Sequence, residues 1–186
     1  MNKSIKYGAF LFILLAILGA LLVLVNDITA PIIEERRLAE IKETIKEILP
    51  NIESFTEETG NIKNLPNEIT NVYLTSDKKT AIYVTATLGY DNGTIRTLIA
   101  FNVEDNTIIN YKVTEADKQT EGYGSKAKTY DFKFAGKTAE TFAKMDVEKV
   151  DKTNQDLVIS GATRTSKAVL NGVKIASQNF LEVYGG

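Results

Sequence analysis

Four hydroxyl side chains crowd one corner of the sequence. In the run LVISGATRTSKAV, residues 157–169, Ser160, Thr163, Thr165 and Ser166 surround the pair Gly161 and Ala162, where an apolar stretch stops and a helix-like pattern starts. The first N–H groups of a helix have no partner inside it and carry partial positive charge, so such a corner suits a phosphate. Gly161 lets the backbone approach a ligand closely, and Arg164 and Lys167 add charge. Ordinary capping competes with this reading, because Ser and Thr ahead of a helix satisfy the same N–H groups.

Composition narrows the chemistry. The 186 residues contain no Cys, which excludes disulfides, iron–sulfur clusters and attached c-type haem. They contain no His, which removes the usual zinc ligand and the usual general base near neutral pH. Redox chemistry in this chain therefore needs a bound organic cofactor held by other side chains. Acidic residues outnumber basic ones, 24 to 22, and there is no polybasic stretch, which argues against a nucleic-acid partner.

The elements that must position the corner can be read from periodicity. The last helix should run from Thr165 to about Tyr184, with Val169, Val173, Ala176 and Phe180 forming one buried stripe. Alternation predicts strands at Asn71–Thr75, Ala81–Leu88, Thr94–Val103 and Thr107–Thr114, joined by turn-rich links into an antiparallel meander. Asn92-Gly93 is the expected hairpin centre. Short strands are expected near Phe132–Phe134, Lys149–Val150 and Leu157–Ile159, and a short helix over Thr138–Met145. Residues 114–138 form a long loop with three glycines, and loops beyond about 12–15 residues are usually functional or disordered. The fold class is α+β, an antiparallel sheet flanked by helices.

Residues 7–25 carry no charge. At about 1.5 Å per residue the run reaches roughly 28 Å as a helix, enough to span a bilayer. A cleavable signal peptide has a shorter apolar region and a small-residue cleavage site, whereas Val23 and Val25 close this run, so it is read as an uncleaved anchor. Lys3 and Lys6 precede the span and Asp27, Glu34 and Glu35 follow it, which puts residues 1–6 in the cytoplasm and the bulk of the chain on the periplasmic or outer side. Residues 26–50, opened by Pro31 and closed by Pro50, read as a membrane-proximal helix, 51–70 as a linker, and 71–186 as the main domain.

SGATRTS resembles the flavinylation motif of the FMN-binding domain family, Ser/Thr-Gly-Ala-Ser/Thr-x-Ser/Thr, whose last hydroxyl carries FMN through a phosphoester. The resemblance makes Thr165 the attachment residue and Ser160, Gly161, Ala162, Thr163, Arg164 and Ser166 its cofactor-binding surroundings. QTEGYG, residues 119–124, is similar to the family's Glu-Thr-Pro-Gly-Leu-Gly stretch against the flavin, matching at Thr120, Gly122 and Gly124 and departing at Gln119, Glu121 and Tyr123. Tyr123 is expected as a further contact for the ring, with plain surface packing as the alternative. The family's acid three residues before the motif is replaced here by Leu157, with Asp156 one step earlier.

The order of the chain, one span, a Thr29-Ala30-Pro31 junction, a sheet and the motif opening the last helix, is similar to G-type subunits of Rnf electron-transport complexes and to C-type subunits of sodium-translocating NADH:quinone oxidoreductases. The resemblance implies an electron-carrying subunit with covalent FMN, coupling ferredoxin and NAD chemistry in the Rnf case, rather than a stand-alone enzyme. It implies partners in the same membrane and a flavin transferase that uses FAD and magnesium. Two other classes stay open on the residues. A non-redox anchored binding or assembly domain would use the hydroxyls only as caps. A Ser or Thr hydrolase, with no His, would need Lys126, Lys128 or Lys167 as base.

Overall fold

The computed structural model describes residues 3–151, 153–154 and 156–185. Met1 and Asn2, which open the expected cytoplasmic flank, lie outside the described residues. The chain falls into two units, Met1–Glu43 and Thr44–Gly186.

The first unit lies within helix α1, Lys3–Ile48, which is long and apolar enough to cross a membrane. Its apolar side chains from Tyr7 to Val25 are exposed, which water would penalise and lipid would not. The sequence puts the start of a separate helix at Pro31, yet α1 runs through it unbroken. A proline inside a helix forfeits one backbone bond and costs about 3 kcal/mol. Just ahead of it the Thr29 hydroxyl donates to the Val25 carbonyl, 2.8 Å.

In the second unit five antiparallel strands stand in chain order: β1 Phe55–Glu57, β2 Ile69–Thr75, β3 Thr80–Leu88, β4 Thr94–Asn102 and β5 Ile108–Ala116. β2 to β5 fall where alternation puts them. β1 lies in the stretch expected as a linker, and pairs Phe55 with Thr75 and Glu57 with Tyr73. β3 and β4 pair without a break from Thr80 opposite Asn102 to Leu88 opposite Thr94. The turn between them is centred one residue earlier than expected. Asp91 and Asn92 take the positive φ values, 50° and 53°, conformations that Asp and Asn tolerate better than most residues. Gly93 is extended, and it is glycine because a Cβ there would lie 1.9 Å from the Asp117 carbonyl oxygen.

The expected strands at Phe132–Phe134, Lys149–Val150 and Leu157–Ile159 do not form. Lys133 adopts φ 53°, which breaks extended backbone between two phenylalanines that are fully buried and stacked on each other. Val147–Lys149 is a 310 turn, and the N–H groups of Leu157 and Val158 bond back to the Asn154 carbonyl instead of to a neighbouring strand. Helix α2, Ala139–Ala143, is shorter than expected and packs on α3, Thr163–Val183, which starts two residues earlier than expected.

α3 lies across β3 and β4. Its stripe Val169, Val173, Ala176 and Phe180 is wholly buried, and Phe180 stacks on Phe101 of β4 at 4.5 Å between ring centres. Two polar bonds fix the helix over the sheet: Thr87 donates to the Ala168 carbonyl, 2.8 Å, and Tyr83 donates to Asn179, 3.2 Å. On β5 the end of α1 is held by Asn110, which donates to the Ile48 carbonyl, and by a Lys112–Glu47 ion pair. The sheet thereby fixes the start of α3 beside the β3–β4 turn and the segment that leaves β5.

Candidate functional site

α3 begins at the hydroxyl corner, and the four hydroxyls divide into different roles. Ser160 and Arg164 are exposed and Thr163 is half-buried. Ala162, the residue before the helix, is buried and brings no side-chain bond to its first turn. The capping reading is therefore not realised at that position. Ser166 Oγ, fully buried, accepts from the Ile159 N–H at 2.9 Å and donates to the Ala162 carbonyl at 3.0 Å, so it ties the incoming chain to the helix.

Thr165 is the third residue of α3 and only 2% exposed. Its hydroxyl donates to Gln119 Oε1 at 2.7 Å. Gln119, 9% exposed, also donates to the carbonyls of Tyr90, 3.1 Å, and Asp117, 2.7 Å, and accepts from the Tyr90 N–H, 3.1 Å. One amide thus joins the β3–β4 turn, the exit from β5 and the start of α3. The motif match marks Gln119 only as a departure, and Tyr90 not at all. No periodicity could have found either, since the contact to Thr165 spans 46 residues.

The glycine loop follows. Thr120, exposed, accepts at its carbonyl from the N–H groups of Tyr123 and Ser125, both 3.2 Å. The two loop glycines serve different needs. Gly122 has φ +74° with open space where a Cβ would stand. Gly124 has ordinary backbone, but a Cβ would lie 2.7 Å from Thr165 Oγ1 and 2.9 Å from the Gln119 side chain. Gly161, at φ +80°, lies under the Tyr123 ring, whose nearest carbon would be 2.6 Å from a Cβ there. The structure so brings the loop and the corner together, with half-exposed Tyr123 laid over the motif glycine.

Between them is a cleft of about 350 Å³ lined by Tyr90, Thr120, Gly124, Gly161, Ala162, Thr163, Arg164 and Thr165. A second, of about 460 Å³, shares Thr163 and Arg164 and is bordered by Leu88, Gly89, Val147, Glu148, Lys167, Ala168 and Asn171. Lys167 is engaged there, donating to the carbonyl and the carboxylate of Glu148 at 2.7 and 3.1 Å. Asp156, exposed, lies on the turn before the corner. Among the described residues no group of His, Cys, Asp or Glu could hold a metal ion.

These residues fit a phosphate-bearing flavin. The first turn of α3 has no side-chain cap and presents its positive end, an arginine stands beside it, and a hydroxyl lies within that turn. Residues 89–178 match the family model of the FMN-binding domain. The G-type subunit of the Na+-translocating ferredoxin:NAD+ oxidoreductase complex of Acetobacterium woodii is 28% identical over 93% of this chain and 89% of its own length. The resemblance read from the sequence is thus met by a match to the FMN-binding domain model across the segment that carries the glycine loop and the hydroxyl corner.

Proposed function

We propose that this protein is the flavin-carrying electron-transfer subunit of an Rnf-type membrane complex, with FMN joined to Thr165 through a phosphoester. The observation that carries the attachment is the place of Thr165: a hydroxyl in the uncapped first turn of α3, beside the cleft between the glycine loop and the hydroxyl corner. The relative from Acetobacterium woodii supports the wider reading by its name, as part of a complex that joins ferredoxin, NAD+ and sodium translocation. FMN, when bound, supplies reversible one- and two-electron transfer.

The chain's own residues bind and orient. In this reading the N–H groups opening α3 and the Arg164 side chain neutralise the phosphate, Ser166 fixes the corner, and Thr120, Gly122, Tyr123 and Gly124 form the wall along the ring. Residues 7–25 anchor the protein, 26–50 lead away from the membrane and 71–186 form the FMN domain, on the side opposite Lys3 and Lys6. Partner subunits in the same membrane pass electrons to and from it, and a flavin transferase makes the bond from FAD with magnesium.

The test is a mass spectrum of the denatured full-length protein made together with a flavin transferase. A gain of one FMN less one water, located on the peptide with Thr165, is expected. A protein that stays unmodified, or carries the group elsewhere, would refute the attachment.

A further inference from the structure

The hydroxyl on which that attachment rests is already committed. Thr165 Oγ1 gives its hydrogen to Gln119 Oε1 at 2.7 Å, is almost without solvent contact, and stands 2.7 Å from where a Gly124 Cβ would be. The Gln119 amide cannot simply turn over to suit a new partner. Its oxygen accepts from Tyr90 and Thr165, and its nitrogen donates to Tyr90 and Asp117, so both ends are matched to neighbours of the opposite kind.

Transfer from FAD to this oxygen balances as follows. Thr165 Oγ attacks the flavin-side phosphorus of the pyrophosphate, the new O–P bond forms, the P–O bond to the AMP half breaks, AMP departs with that oxygen, and the hydroxyl proton goes to a base on the transferase or to water. An oxygen with 2% exposure is not open to such an attack while the loop covers it. Once esterified, it has no hydrogen to donate, and two acceptor oxygens at 2.7 Å repel.

We propose that Gln119 is a positioning residue that latches the Thr165 hydroxyl beneath the segment 117–124 in the unmodified protein, and that loading of FMN requires and preserves the release of this latch. The proposal rests on attachment at Thr165. It makes the glycine loop a cover that opens for modification as well as a wall.

Two variants separate the latch from simple support of the loop. Gln119→Ala removes the acceptor and both donors. Gln119→Glu, above the carboxylate range, keeps an acceptor for Thr165 and Tyr90 but likewise loses the donors to Asp117 and Tyr90. With full-length protein in detergent, FAD, magnesium and transferase, Gln119→Ala should incorporate FMN about fivefold faster than wild type, the effect of one lost hydrogen bond. Gln119→Glu should be no faster than wild type. Equal acceleration in both variants, or none in Gln119→Ala, overturns the latch and leaves Thr165 in place. FMN absent from wild type, or found on another residue, overturns the attachment reading instead.

Discussion

Thr165 Oγ1 on the last helix lies 2.7 Å from Gln119 Oε1 in the loop after β5, and this bond joins the hydroxyl corner to the glycine loop. Each half of the site therefore depends on the other, and substitutions in either should have separable effects on stability and on FMN loading.

The hydroxyls should not be interchangeable. Thr165→Ala should abolish covalent FMN, read as in-gel flavin fluorescence of denatured protein, and cost about 1 kcal/mol through the lost bond to Gln119. Ser166→Ala should keep the adduct, but it strips the acceptor from a buried Ile159 N–H and costs about 1–3 kcal/mol. An adduct retained by the Thr165 variant would disprove this division.

The two loop glycines should separate in the same way. Gly122→Ala forces a side chain into φ +74° without a clash, costing about 1–2 kcal/mol, and should still load FMN. Gly124→Ala pushes a methyl against Thr165 Oγ1 and Gln119, and should cost about 1–3 kcal/mol by overpacking while loosening the bond between them, so that loading is faster than in wild type. Loading rates from mass spectra, paired with unfolding midpoints, check both; unchanged loading of Gly124→Ala would mean that this contact does not guard the hydroxyl.

The core should be anchored by the Phe101–Phe180 stack. Phe180→Ala removes a wholly buried ring in contact with Phe101, Tyr83 and Tyr184 and should destabilise the domain by about 3–5 kcal/mol. Chemical denaturation of the full chain measures it, and a loss under about 1 kcal/mol would contradict the assigned packing.

Stability should fall in alkali. Burial pushes the Tyr83 hydroxyl far above its ordinary value and the half-buried Tyr111 hydroxyl up to about 12. A folded value above the unfolded one means that the proton binds more tightly in the native state. The contribution is therefore complete below about pH 10 and is lost as pH rises toward 12. Tyr111→Phe should show a shallower decline between those values from a lower starting midpoint, since the Phe132 N–H loses its acceptor at 2.6 Å. Identical slopes in the two proteins would remove Tyr111 from the account.

The sequence by itself determined the parts whose signal is local. The charge-free run 7–25 is marked by its length alone, while the alternation in β2 to β5 and the stripe from Val169 to Phe180 repeat with the period of the element they form, so each is legible without neighbours. The hydroxyl motif was legible for the same reason, being a contiguous run. Tertiary structure decided the rest. β1 exists because Phe55–Glu57 finds the edge of β2, whereas Phe132, Phe134, Val158 and Ile159 are buried in irregular chain. Local composition cannot tell these cases apart, because a strand is defined by a partner elsewhere. The same holds for Gln119: its residue type suggests nothing, and its role appears only when the sheet delivers the β3–β4 turn, the exit of β5 and the start of α3 to one buried amide, whose oxygen and nitrogen they satisfy.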